Sequence, residues 1–130
     1  IDPSSVNSHI NLGRAFQSLE ELDEAASCYQ RAIAINPNNA LAHSNLGYAY
    51  NQLGRAEESI GSCETAIALD PNLSMAHNNL VNAFLKLAKI DKAVASFQAA
   101  IKIQPNFSAA FGNLGISYQK FPKVPKLRDA

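Results

Sequence analysis

Apolar and small side chains recur along this chain at helical spacing. Ala25, Cys28, Tyr29, Ala32 and Ile33 fall on one face of a helix, and so do Ala93, Phe97, Ala100 and Ile101, following the three- and four-residue steps of an amphipathic helix. No segment sustains the alternation of a half-buried strand, so no strands are predicted. The helical pattern is punctuated at one constant interval by Pro3, Pro37, Pro71 and Pro105, within IDPSSV, INPNNA, LDPNLS and IQPNFS. The residue before a proline is driven out of the α region, so each proline marks a place where a helix must stop. Three more columns keep the same interval: Leu12, Leu46, Leu80 and Leu114; Asn11, Asn45, Asn79 and Asn113; Phe16, Tyr50, Phe84 and Tyr118. Four columns in one register are the signature of an internal repeat.

Each unit reads as two helices. The first opens after the proline with a Ser or Asn as cap candidate, which predicts helices over residues 5–18, 39–52, 73–86 and 107–120. A turn such as Leu53-Gly54-Arg55 closes it, and the second helix runs to the next proline. Residues 1–3 read as the end of a preceding unit. The fourth unit keeps Leu114, Gly115 and Tyr118 and then meets Pro122 and Pro125, which break a helix. Residues 122–130 are expected to be extended, or to fold back over the exposed end.

These residues resemble the tetratricopeptide repeat, a helix-turn-helix unit with the same period. Leu12-Gly13, Phe16, Ala25, Tyr29, Ala32 and Pro37 fill the family's positions in the first unit. Leu46-Gly47, Tyr50, Ala66 and Pro71 do so in the second, and Leu80, Phe84, Ala93, Phe97, Ala100 and Pro105 in the third. His9, His43 and His77 replace the family's Trp, Ser59 and Cys63 replace an Ala and an aromatic, and Val81 replaces a Gly. The resemblance implies an all-α, right-handed α-solenoid of about seven helices, with repeats over residues 4–37, 38–71 and 72–105. A partial fourth repeat over 106–121 and the tail at 122–130 follow. The resemblance also places the first helix of every pair on the concave side.

The predicted first helices contain no Asp or Glu; their formal charges are Arg14, Lys86 and Lys120, while the acids gather in the second helices and turns. Asn11, Asn45, Asn79 and Asn113 share a column, so stacking should set them in a row with steps of about 8–10 Å, the usual distance between packed helices. An extended peptide advances about 3.3 Å per residue, and a carboxamide offers the donor and the acceptor that a peptide backbone requires. Such a row could hold roughly every third residue of a protein or peptide ligand with little regard for its sequence. Arg14, Tyr48, Asn78 and Asn82 are candidates for the same wall, with Asn51 beside them and Leu41, Met75 and Leu85 as apolar pockets. The row resembles the asparagine ladder in the superhelix of O-linked N-acetylglucosamine transferases; the alternative is that these amides bond a neighbouring helix or water. The family's carboxylate clamp for acidic chaperone tails fits poorly. Its cationic and amide positions read Ile10, Arg14, Asn45, Met75 and Asn79 here, and only Asn45 agrees.

Composition narrows the function further. Among 130 residues, 11 basic side chains balance 11 acidic ones, so the polycation that nucleic acid or an anionic membrane attracts is missing, and neither partner is expected. No apolar run approaches the roughly 18–20 residues of a membrane span. Cys28 and Cys63 are too few for a disulfide framework, which predicts a reducing compartment, cytoplasmic or nuclear. His9, His43 and His77 lie one repeat apart, too far from each other for a shared zinc ion, whose ligands sit about 2 Å from the metal. With no nucleophile motif, acid pair or glycine-rich phosphate loop, catalysis, cofactors and metals are not expected. The reading is a protein-interaction scaffold for an extended peptide. Two alternatives remain: a self-associating structural module, and a substrate-recruiting segment of a larger enzyme such as a glycosyltransferase. Self-association draws on the charge distribution, since residues 1–70 carry a net charge of −6 and residues 71–130 one of +6, which favours head-to-tail homo-oligomers at low salt.

Overall fold

The computed structural model describes residues 3–105, which form six helices: α1 (Pro3–Ser18), α2 (Leu22–Ile35), α3 (Ala40–Gln52), α4 (Ala56–Leu69), α5 (Ser74–Lys86) and α6 (Ile90–Ile103). No strand occurs among the described residues. Helices α2, α4 and α6 begin and end at the interval of the prolines, as do α3 and α5. The helix expected over 107–120, with Asn113, and the tail at 122–130 lie outside the described residues.

Local chemistry fixes the helix ends. Each first helix closes in the same way: Glu21 N–H donates to Phe16 C=O at 2.9 Å, Arg55 N–H to Tyr50 C=O at 2.8 Å and Lys89 N–H to Phe84 C=O at 2.9 Å. This bond needs the intervening residue in the left-handed region, and Glu20, Gly54 and Ala88 have φ of 60°, 76° and 58°. Each second helix stops on an extended residue, Asn36, Asp70 or Gln104, as the following proline demands. Asn36 Oδ1 and Asp70 Oδ1 then accept from the backbone N–H groups of Asn38 and Asn72, both at 3.1 Å, turning the chain toward the next unit.

The helix starts differ from one another. Asn39 caps α3 as expected, its Oδ1 accepting from Ala42 N–H at 3.0 Å. The cap residue of α5 is Leu73, which has no side-chain bond. Ser74 is the first residue of that helix, and its hydroxyl donates to Gln104 Oε1 at 2.8 Å. Helix α1 begins at Pro3 itself, ahead of the expected start at Ser5, because proline is tolerated in a first helical turn, whose N–H groups have no intrahelical partner.

The helices pack in sequential pairs, α1 on α2, α3 on α4 and α5 on α6. Helix α2 also meets α3, α4 meets α5, and α3 touches α5 directly, giving a helical-repeat solenoid. Close approach rests on fully buried alanines, among them Ala25, Ala32, Ala42, Ala66, Ala83 and Ala93. Tyr29 and Phe97 fill the interior of their units, with Cys63 at the corresponding place in the middle one. Opposite them stand Gly13, Gly47 and Val81. A Cβ on Gly13 would lie 2.5 Å from Tyr29 Cε1 and one on Gly47 2.6 Å from Cys63 Sγ, whereas Val81 is accommodated beside Phe97 in the same cluster. Leu46 packs with Tyr29 and Ala32 of α2, and Leu80 with Ile60, Cys63 and Ile67 of α4.

Candidate functional site

The 4-3-4 spacing of a helix stripe places Leu41, Asn45, Tyr48 and Gln52 of α3 on one line. Asn7, Asn11, Arg14 and Ser18 form the same line on α1, and Met75, Asn79, Asn82 and Lys86 on α5. The outer members of each line are exposed, as is all of the α1 line, while Asn45, Tyr48 and Asn82 are half-buried. A grid of three columns results. Its first row, Asn7, Leu41 and Met75, turns apolar in the second and third units, with Leu41 43% and Met75 45% exposed. Its interior is amide and phenol, and its formal charges are Arg14 and Lys86, in the outer columns. None of the three helices contains an acid.

The expected row of open carboxamides is not continuous. Asn11 is exposed and Asn45 half-buried, but Asn79 is only 2% exposed. Its Nδ2 donates to the Ser44 carbonyl at 3.0 Å and contacts Ser44 Oγ at 3.3 Å. The reciprocal bond runs from Asn51 Nδ2 to the Asn79 carbonyl at 2.9 Å, and Lys86 Nζ donates to the Asn51 carbonyl. Asn79 and Asn51 therefore clip α3 to α5, which corrects their expected place on the ligand wall. Asn78, 6% exposed and engaged within the fold, leaves that wall as well. Asn113 falls outside the described residues.

The clip depends on two residues that break the repeat columns. Ser44 supplies a hydroxyl where the first unit has buried Ile10, and Asn51 reaches across where the first unit has Gln17. Gln17 instead accepts from Tyr29 Oη at 2.9 Å. Asn45, at the Asn79 position, has its Nδ2 shielded from water without a protein partner, and the α1 residue at the Ser44 position is Ile10. These departures from the column pattern were the signal in the sequence that α3 and α5 are joined differently from α1 and α3.

The remaining candidates have structural roles. His43 Nε2 lies 2.8 Å from the Pro37 carbonyl and His77 Nε2 3.1 Å from the Pro71 carbonyl, so each ring donates back to the turn that precedes its helix. No group of three or more His, Cys, Asp or Glu among the described residues could hold a metal. No helix among them is long and apolar enough to cross a membrane. Both cysteines are free and buried. Burial pushes the Cys63 thiol up to about 11 against the lowering effect of its contact with Ser59, so it is held protonated and poorly nucleophilic. Burial likewise raises Tyr29 to about 12, opposed by the nearby charge of Arg14.

Three family models match the chain: one described as TPR repeat over residues 13–54, and two described as tetratricopeptide repeat over residues 40–73 and 76–107. No curated protein sequence matches. Among solved structures, the second TPR domain of the human RPAP3 protein in complex with the HSP70 peptide SGPTIEEVD is 28% identical. It has a TM-score of 0.81, and the match covers 88% of this chain and 95% of that one. The second TPR of Spaghetti (RPAP3) bound to the HSP90 peptide SRMEEVD is 29% identical with a TM-score of 0.75, covering 77% and 93%. The Sgt2 TPR domain from Aspergillus fumigatus is 25% identical with a TM-score of 0.87, covering 99% and 89%.

Proposed function

Because the chain belongs to the tetratricopeptide repeat family, we propose that it is a protein-interaction scaffold holding an extended polypeptide against the shared face of α1, α3 and α5. One observation carries this reading: an acid-free grid of side chains, exposed or half-exposed at every position but Asn79, repeated in register on three neighbouring helices. The RPAP3 and Spaghetti domains in complex with chaperone peptides support it as similar folds that take peptides. Asn11 and Asn82 are the amides placed to meet a ligand backbone, with Arg14, Tyr48 and half-buried Asn45 beside them.

The test is binding of peptides selected from a random library. Asn11→Ala and Asn82→Ala should each weaken binding by about 1 kcal/mol, the net worth of one hydrogen bond, and leave the urea midpoint unchanged. Asn79→Ala should instead lower stability by about 1–3 kcal/mol, since it removes a buried bridge and strands its partners. If the Asn11 and Asn82 variants bind like wild type while Thr65→Ala on α4 loses affinity, the ligand lies on the second helices and the reading falls.

A second, compatible reading is self-association, favoured by Leu12. Its column mates Leu46 and Leu80 are 6% and 7% exposed, whereas Leu12 is 46% exposed.

A further inference from the structure

The grid contains a feature that the amides do not explain. Leu41 and Met75 occupy the same position one repeat apart, at the start of α3 and α5, and both leave nearly half their surface in water. Large apolar side chains exposed in register on one face mark a contact surface rather than a core. They sit one helical turn before Asn45 and Asn79 on the same stripe, so a strand crossing α3 and α5 near the start of both helices passes over them.

The charge pattern sets the chemistry of what passes. No acid lies on the three helices, and the two cations, Arg14 and Lys86, stand in the outer columns on α1 and α5. Lys86 already donates to the Asn51 carbonyl. At the clamp positions, Ile10 is 2% exposed and Asn79 is drawn aside to Ser44, and Met75 is apolar. A carboxylate laid over Leu41 and Met75 would lose its water and find no partner, a costly transfer. The match at this point is to an uncharged, apolar group.

Spacing sets the backbone conformation. Packed helices stand about 8–10 Å apart, and α3 touches α5 directly. In a β-strand, side chains on one face recur every second residue, at about 6.6 Å. In polyproline II, they recur every third residue, at about 9.3 Å, which fits the repeat step.

Resting on the scaffold reading above, we infer that the ligand is a segment in polyproline II conformation with two apolar side chains three residues apart, one seated on Leu41 and the other on Met75, and no carboxylate between them. The residues at Leu41 and Met75 thus determine specificity.

Selection of a phage-displayed library of random dodecapeptides on the purified chain tests this, followed by fluorescence-polarisation titration of the enriched peptides. Enriched sequences should carry Leu, Ile, Val, Met or Pro at positions i and i+3 and lack acids between them. The Leu41→Ser/Met75→Ser double variant, which alters two side chains outside the buried core, should keep its helicity by circular dichroism and bind the same peptides at least about tenfold more weakly. Met75→Lys should move the selection toward peptides with a carboxylate at that point. Enrichment of acidic tails by the wild type, enrichment without the three-residue spacing, or unchanged affinity in the double variant overturns the inference while leaving the scaffold. A library that yields no binder overturns the scaffold reading and this inference with it.

Discussion

Two buried ionisable side chains, Tyr29 and Cys63, make stability sensitive to alkali. Both are held neutral by burial, with folded-state values of about 12 and 11 against ordinary values of 10.0 and 9.0. An acid whose pKa is raised by folding ionises first in the unfolded chain, so unfolding releases protons once the pH passes the unfolded value. Stability from these groups is whole below about pH 9 and drains away as pH rises through 9 to 12. The urea midpoint of the reduced protein should be level from pH 7 to 8.5 and then fall. Tyr29→Phe should lose about 1 kcal/mol at neutral pH with its bond to Gln17, and should fall less steeply in alkali. A midpoint that declines equally in Tyr29→Phe and wild type would show that another group governs the slope. Tyr29 was legible as a core position from helical spacing, and Cys63 from the repeat position that it shares with Tyr29. The alternate fate of the Asn column was not, because a carboxamide satisfies itself equally well on a neighbouring helix or on a ligand. The packing of the neighbouring helix decides between them: Asn79 reaches the Ser44 carbonyl and hydroxyl, whereas the Asn45 Nδ2 finds no protein partner.

At the scale of the element, the turn within each unit tests how far one repeat can stand in for another. Glu20, Gly54 and Ala88 share the left-handed conformation, but only Gly54 adopts it without a Cβ penalty of about 1 kcal/mol or more. Ala88→Gly should therefore raise stability, by up to about 1 kcal/mol after the loosening of the unfolded chain is subtracted. The urea midpoint should increase without any change in the dependence on denaturant. A decrease would mean that the Ala88 methyl makes a contact worth more than the strain. The three turns were readable from Leu53-Gly54-Arg55 and the repeat interval, as were the helix stops before each proline. Helix starts were less so. Asn39 caps α3, but Ser74, with the same credentials for α5, is recruited by Gln104 from the far end of α6. A cap candidate read from local sequence cannot register a competing partner from the next turn of the solenoid.

For the molecule as a whole, the architecture was legible because a repeat fold is nearly one-dimensional: each unit touches its neighbours, and the columns that recur once per unit are the contacts. The same logic exposes what a column lacks. Leu46 is covered by α2 and Leu80 by α4, but no described helix lies over Leu12, and Leu19 nearby is 69% exposed. This apolar edge belongs to the acidic half of a chain whose residues 1–70 and 71–130 carry net charges of −6 and +6. Opposite charges at the two halves would draw copies into head-to-tail register, with apolar contact at Leu12 to hold them. Charge attraction between exposed groups weakens as the Debye length shrinks from about 30 Å at 0.01 M salt to about 8 Å at 0.15 M. Light scattering should therefore report a mean mass above that of the monomer at 0.01 M salt and a return toward monomer by 0.15 M. Leu12→Ser should lower the low-salt mass without altering the helical signal. A monomer at every ionic strength removes self-association and leaves the peptide-binding face as the single proposed contact surface. Association that grows with salt would instead identify the apolar edge as the driving contact and the charge asymmetry as incidental.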